Sequence, residues 1–144
     1  MAFLLGDVKV LVNSVDLSDQ AFGIDVPMEK DQVDVSTFSP TGTRSFVPGV
    51  SDQTITINFR QNFASGKVHQ TLYPLFSGGS TFPLYVWPDS DSGTSSTNPV
   101  CGGTASIYSY NGLSGALNDS ADIECEFKPA PGSNFRWGTA VPIP

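Results

Sequence analysis

Residues that could hold a metal are few in this chain and stand at unsuitable spacings. His69 is the only histidine, and no cysteine lies at ligand spacing around it, so a tetrahedral zinc site is not predicted. Asp89, Asp91 and Gly93 follow one another as at the start of a calcium loop. The position that needs a bidentate glutamate, however, holds Val100. We therefore predict no metal and no cofactor.

Paired carboxylates are the other candidate chemistry. Glu124 and Glu126 would project from one strand face about 7 Å apart, a spacing compatible with a glycosidase. Only scattered aromatic residues could form a sugar cleft, and the sequence has no nucleophile elbow, phosphate-binding loop or dinucleotide fingerprint. We predict no catalytic residues and a protein that is not an enzyme.

The same strand has a charge pattern that suggests a different role. Asp122, Glu124 and Glu126 alternate with an apolar set. That set is Ile123, Cys125 and Phe127. Alternation places the acids on one face, which is either a solvated outer surface or an acidic wall facing a negatively charged passenger.

Composition favours one β domain spanning residues 1–144. Charged residues make up only 15%, against 14 glycines and 11 prolines, and low charge suits a surface partly covered by partners. The net charge of −7 argues against wrapping around nucleic acid, which requires lysine and arginine on the phosphates.

Targeting and redox signals are weak. No apolar run approaches the roughly 18 residues of a membrane span, and the opening MAFLLG lacks the basic region of a signal peptide. A cytoplasmic origin is favoured. Cys101 and Cys125 are then either two free thiols or one bridge.

Alternating apolar residues predict seven strands. These cover residues 7–13, 21–28, 33–37, 52–60, 82–86, 104–110 and 121–128. In the fourth, Ile55, Ile57 and Phe59 point inward, and Thr54, Thr56, Asn58 and Arg60 point outward. The fold class is mainly β, a β-sandwich or barrel core, with residues 129–144 as an irregular tail rich in proline and glycine.

One segment, residues 62–76, has helical periodicity. Its apolar positions are Val68, Leu72, Leu75 and Phe76. Asn62 or Ser65 could cap the helix, and Pro74 should end or kink it. One short helix of two or three turns is predicted.

A long connection between two strands is the most unusual feature. Residues 38–49 are rich in turn-forming types and exceed the usual hairpin loop of 2 to 5 residues. The inward positions switch from even to odd numbers after Met28, which predicts a bulge within residues 29–32. The long β-hairpin arm is most simply an element that grips a neighbour, as in an assembly protein.

With these features in order, the chain resembles the major tail tube proteins of long-tailed, siphovirus-like bacteriophages. The resemblance covers residues 15–127 and rests on the order of several segments. These are VDLSDQ, PMEKDQVDVST, VPGVSDQTITINF, GKVHQTLYPLFSGG, TFPLYVWP and GTASIYSYNGLSGALNDSADIECEF.

The resemblance implies that homohexameric rings stack around a channel for DNA ejection, with two hairpins of each subunit joining into an inner barrel. It implies an inter-ring loop containing Ser39, Pro40, Thr41, Gly42, Thr43, Arg44 and Phe46. Channel-lining candidates are Asp122, Glu124, Glu126, Thr54, Thr56 and Asn58. Arg60 would then lie at the rim or pair with an acid.

The implied partners are further copies of the chain, tape-measure and tail-terminator proteins, and double-stranded DNA that passes without specific binding. No membrane is involved. The protein would reside in the virion tail after synthesis in the host bacterial cytoplasm.

Two alternatives remain open from the sequence. One is another phage structural or capsid-decorating β protein that neither forms rings nor stacks. The other is a carbohydrate-binding β-sandwich using Trp87, Tyr108, Tyr110 and Trp137.

Overall fold

The computed structural model describes residues 6–38, 42–90, 93–118 and 121–141, which form ten strands and one helix. The strands are β1 (Lys9–Val12), β2 (Val15–Asp16), β3 (Ala21–Asp25), β4 (Met28–Asp34), β5 (Phe46–Gln53), β6 (Ile55–Arg60), β7 (Phe82–Trp87), β8 (Val100–Tyr110), β9 (Asp122–Pro129) and β10 (Arg136–Gly138). The helix α1 spans Val68–Gly78. The protein is mainly β with one short helix, as predicted.

Eight strands form one antiparallel sheet, and two form a separate sheet. The large sheet has the order β2-β1-β7-β8-β9-β6-β3, with β10 added beside β8, while β4 pairs only with β5. The long β8 pairs with β7 up to Ala105 and with β9 from Ala105 onward. Side chains from both ends of the strand order share one apolar core. The large sheet therefore folds over into the predicted sandwich.

The core forms because apolar residues alternate along the central strands. Ile55, Ile57 and Phe59 of β6 are fully buried, which confirms their predicted inward direction. They lie opposite Phe127, Cys125 and Ile123 of β9. Phe82 of β7 meets Phe127 edge-on with ring centroids 5.9 Å apart, a favourable aromatic arrangement.

Helix α1 lies later in the sequence than its predicted start. Lys67 occupies the N-cap position without a side-chain hydrogen bond. Asn62 instead accepts a hydrogen bond from the backbone N–H of Ala64, which forms a turn ahead of the helix, so both predicted caps were wrong. Pro74 lies inside the helix, which ends before Gly79 in a left-handed conformation with φ 65°. Gly79, rather than Pro74, terminates the helix because glycine adopts this conformation without strain.

The C-terminal segment contains structure that the sequence did not predict. β10 pairs with residues 100–102 of β8, and the preceding Phe135 is 1% exposed. The expectation of an irregular tail is therefore wrong for Arg136–Gly138. Because β9 joins β8 only from Ala105 onward, the earlier part of β8 has room for another strand. Residues 142–144 lie outside the described part of the chain.

The β4–β5 hairpin stands apart from the large sheet and forms the arm. Residues 46–49 belong to β5, so their assignment to the connection was wrong. Three of them, Phe46, Val47 and Pro48, pair with β4, which the turn-rich sequence alone did not indicate. The register shifts between Lys30 and Gln32, which confirms the predicted place of the irregularity, but the extra residue is on β5 and not on β4. Within the described chain, no helix is long and apolar enough to span a membrane.

Candidate functional site

The predicted channel-lining residues lie together on the polar face of two neighbouring strands. Thr56 lies opposite Glu126, and Asn58 lies opposite Glu124, in the β6–β9 register. The next pair, one step along the strands, is Arg60 with Asp122. At the other end, Lys128 donates to the hydroxyl of Thr54 at 2.7 Å. All six predicted residues therefore share one face of the large sheet, which we call the polar face.

A cationic side chain lies at each end of this acidic surface. Arg60 forms an ion pair with Asp122 at 2.8 Å. Pairing with an acid was one of the two predictions for this residue. Lys128 lies 3.7 Å from a carboxylate oxygen of Glu126. Glu124 lies between these pairs and has no ion-pair partner among the described residues. Because these side chains are substantially exposed, each pair adds little to stability, and the face keeps an acidic middle.

Two further strands extend the polar face. Asp25 of β3 lies opposite Thr56, and Ser109 of β8 lies opposite Glu126. The sequence analysis missed Asp25, although alternation from Ile24 already placed it outward. The strands β3, β6, β9 and β8 thus form a four-stranded sheet with one polar surface and one surface buried on the core.

Phe22 departs from its expected inward direction. The β3–β6 register shifts between Ala21 and Gly23, so Phe22 sits in a bulge and is 49% exposed. The Arg60 guanidinium lies 4.6 Å from the centre of its ring, a cation–π contact. A bulge is a long-range feature of strand pairing, which explains why simple alternation gave the wrong direction.

The two margins of the four-stranded sheet have strand edges without a partner in the described chain. β3 is the last strand in the order. On the other margin, β7 pairs with β8 only up to Ala105, which leaves residues 106–110 bonded to β9 alone. Unpaired edges are sites where a further strand can add.

The arm exposes both of its faces. Every residue of β4 is exposed, and its β5 partner carries Phe46 at 51% and Val50 at 76% exposure. Near the turn, hydrogen bonds from the Ser36 hydroxyl and from the Ser36 backbone N–H lower the pKa of Asp34, and the N–H bond is 2.9 Å long. Ser45 N–H bonds to the Ser36 hydroxyl at 2.7 Å.

The predicted inter-ring residues fall partly on this surface. Gly42, Thr43, Arg44 and Phe46 are all exposed. Ser39, Pro40 and Thr41 lie outside the described residues.

His69 belongs to an aromatic cluster. Its Nδ1 lies 2.8 Å from the hydroxyl of Tyr110, and its ring stacks on Tyr73 with centroids 5.5 Å apart. Phe63 packs against the same ring at 5.0 Å. Among the described residues, no group of acids, histidines and cysteines could hold a metal ion; Asp91 lies outside them.

Both cysteines are free thiols buried in the core. Burial raises the pKa of Cys101 to about 12. Burial, together with the nearby Glu126 carboxylate, raises the pKa of Cys125 to about 12 as well. Neither thiol is therefore reactive in the folded chain, and of the two redox alternatives the bridge was wrong.

The aromatic residues of the carbohydrate alternative are dispersed. Trp87 and Trp137 line a small apolar cleft of about 90 Å³. Tyr110 packs against α1, and Tyr108 occupies the β8 bulge, where it is 63% exposed. They do not form a common platform for a sugar ring.

Comparison with known proteins identifies the fold. No protein-family model and no curated protein matches the sequence. A chain from the virion of a native gene transfer agent particle matches with TM-score 0.72 and 17% identity, over 94% of this chain and 98% of that one. A chain from the tail of the empty gene transfer agent particle, described with C6 symmetry, matches with TM-score 0.66 and 18% identity, over 91% and 93%.

A phage structure has the same fold. The SPP1 tail tube matches with TM-score 0.68 and 12% identity, over 94% of this chain and 78% of that one. The present chain therefore has the fold of tail tube proteins from phage-like particles.

Proposed function

We propose that this chain is the tail tube protein of a phage-like particle. Six copies would form a ring, as C6 symmetry describes for the similar gene transfer agent tail, and rings would stack into a tube that conducts DNA. The main support is one observation, the four-stranded sheet with a polar face, a core face and two edges that have no partner strand among the described residues.

The directions of the strands allow a closed ring. β3, β6, β9 and β8 are each antiparallel to the next, so the two outer strands run in opposite directions. The free part of β8 in one copy can therefore pair antiparallel with β3 of the next. Repeating this contact closes a barrel that leaves no edge exposed, which a monomer cannot achieve.

The arm would join successive rings. Identical rings related head to tail form an open heterologous assembly, which grows until something caps it. The arm's exposed Phe46 and Val50 would be covered by the adjacent ring. Residues 39–44 of the inter-ring prediction would lie at the same contact.

The polar face would line the channel. Every subunit adds Asp25, Glu124 and Glu126 to this surface, and such repeated like charge is tolerable where water and counterions fill the space. DNA would then pass without sticking, because its phosphates would face more carboxylates than lysine or arginine side chains.

The remaining assignments follow from this role. The chain would be a structural component of the virion tail with no enzymatic activity, made in the host bacterial cytoplasm. Tape-measure and tail-terminator proteins are its expected partners inside and at the end of the tube.

Negative-stain microscopy of the concentrated protein tests the proposal. We expect rings and hollow tubes with six-fold symmetry in end views. A protein that stays monomeric at every concentration would contradict a tube role and favour the capsid-decorating alternative.

The channel assignment has a separate test on purified tubes. Replacing Asp122, Glu124 and Glu126 together by lysine should make tubes retain DNA in a salt-dependent manner. The matched control replaces the same residues by Asn, Gln and Gln, which removes the acids without adding cations and should retain much less. Equal behaviour of the two variants, with both tubes intact, would place the acids away from DNA.

A further inference from the structure

Exposed aromatic side chains gather at one margin of the four-stranded sheet, where α1 lies against β8. Tyr73 and Phe76 are 49% and 39% exposed. The ring centroid of each lies 6.4 Å from that of Tyr110, near the end of β8. This is the margin where β8 has an unpaired edge within the described chain. We call Tyr73 and Phe76 the aromatic patch.

A cleft of about 200 Å³ lies along the opposite margin. Val8 and Val10 line it together with Ala21 and Ile24 of the edge strand β3. We call it the β1–β3 cleft. These four positions are apolar, and Asp7 and Ser18 add polar groups to the lining, so the cleft is mixed in character.

The patch and the cleft lie on the same side of the sheet. α1 buries Val68 and Leu72 in the core, and Val10 contributes to that same core. Ile24 and Tyr110 pack against it from the two margins. Both surfaces are therefore on the side opposite the polar face.

The patch and the cleft also lie at nearly the same position along the direction of the strands. Ala21 is opposite Phe59, whereas Tyr110 is opposite Cys125, which is opposite Ile57. The difference is two residues, or about 7 Å along a strand. A ring that joins β8 to the next β3 therefore brings the patch to the neighbouring cleft.

We propose that the aromatic patch of one subunit packs into the β1–β3 cleft of the next subunit in the ring. The proposal rests on the proposed function, because ring closure is what brings the two margins together. Backbone pairing between edges is the same in many registers, and side-chain packing selects one. The patch would thus set the register of the seam as well as its strength.

Cross-linking between two introduced thiols tests the contact. The double variant Val8→Cys with Phe76→Cys places one thiol in the cleft and one on the patch. With a short bis-maleimide, it should give a ladder of linked chains extending to six under denaturing electrophoresis, the ring size described for the similar tail. Either single variant has one new thiol and can link two chains at most. Cys101 and Cys125 should stay silent because both are buried.

A binding measurement provides a second test. Phe76→Glu should weaken ring assembly about tenfold or more, as expected for loss of an aromatic anchor, without changing the unfolding of the monomer. Val141→Glu is the matched control, since Val141 is also 39% exposed, and it should assemble normally. Tyr73→Phe retains the ring system and should assemble like the parent.

The outcomes separate the two proposals. Rings that form normally with Phe76→Glu, or a double variant that links no further than dimers, overturn this inference and leave the tube role standing. A parent protein that forms no ring overturns both. If Phe76→Glu forms normal rings that no longer bind a different protein, the patch is a surface for that external partner. This outcome would likewise overturn the inference.

Discussion

The large sheet and the arm contain the same kind of alternating strand, but their apolar side chains have different surroundings. In β6, Ile57 and Phe59 are fully buried. In the arm, Phe46 is 51% exposed and Val50 76%. Alternation is therefore sufficient to indicate a strand in both regions, while burial depends on a second layer that only the large sheet possesses.

This difference separates folding from assembly. A two-stranded hairpin with no packed face is marginal in water, so the arm should be the least stable part of the subunit. The large sheet should retain its stability whatever happens to the arm. Four predictions test this separation, in order of decreasing effect on the stability of the monomer.

The largest effect is expected from truncating a core aromatic residue. Phe59→Ala removes a fully buried ring and should lower the free energy of unfolding by about 3–5 kcal/mol. The matched arm variant, Phe46→Ala, should change it by less than about 0.5 kcal/mol yet impair stacking of rings. Denaturant titration of both monomers checks the contrast, and equal losses would show that the arm folds cooperatively with the core.

Two glycines provide a second paired test. A Cβ at Gly102 would lie 1.9 Å from the carbonyl oxygen of Leu84, so the β7–β8 backbone must shift. Gly102→Ala should cost about 1–3 kcal/mol, the usual range for overpacking. A Cβ at Gly49 would lie 3.0 Å from a side-chain methyl of Val33, which can move in the exposed arm. Gly49→Ala should therefore cost less. Thermal unfolding of the two variants checks this order, and a larger loss of stability for Gly49→Ala would contradict it.

Shortening the arm should leave the core nearly unchanged. Deletion of residues 40–44 is expected to alter the free energy of unfolding by less than about 0.5 kcal/mol while preventing long tubes. The buried thiols of Cys101 and Cys125 report core opening, so their labelling rate should match that of the parent. Tubes of normal length after the deletion would contradict the stacking role of the arm.

The smallest effect is expected from lowering the pH, which should act on the hydrogen bonds of Asp34 beside the arm turn. Hydrogen bonds from Ser36 lower the pKa of Asp34 from its ordinary 3.8. A lowered pKa means that the bonds stabilise the turn above pH 3.8 and are lost as the pH falls below it. The protection factor of the Ser36 amide, which corrects for the intrinsic pH dependence of exchange, should therefore fall below that pH, with those of core amides unaffected. Asp34→Asn should remove the pH step, and a step that persists would assign it to another carboxylate.

Much of the site could be predicted because it depends on local alternation. Thr56 and Asn58 had to point away from Ile57, and Glu124 had to point away from Cys125, whatever the fold. The place of the register shift, at residues 30–32, and the helical turns around Val68 and Leu72 were also visible locally. These features follow from the two-residue period of a strand and the 3.6-residue period of a helix.

The tertiary structure decided which strands became neighbours. The acidic strand β9 lies beside β6 rather than elsewhere, and this pairing gathers the six candidate residues on one face. The same long-range choices turned Phe22 outward through a bulge and drew β10 against β8. A strand's pattern records which of its faces is apolar, but its partner is chosen by packing among segments far apart in the chain. For that reason the sequence by itself determined the polar faces, and only the folded chain determined that they form a single surface.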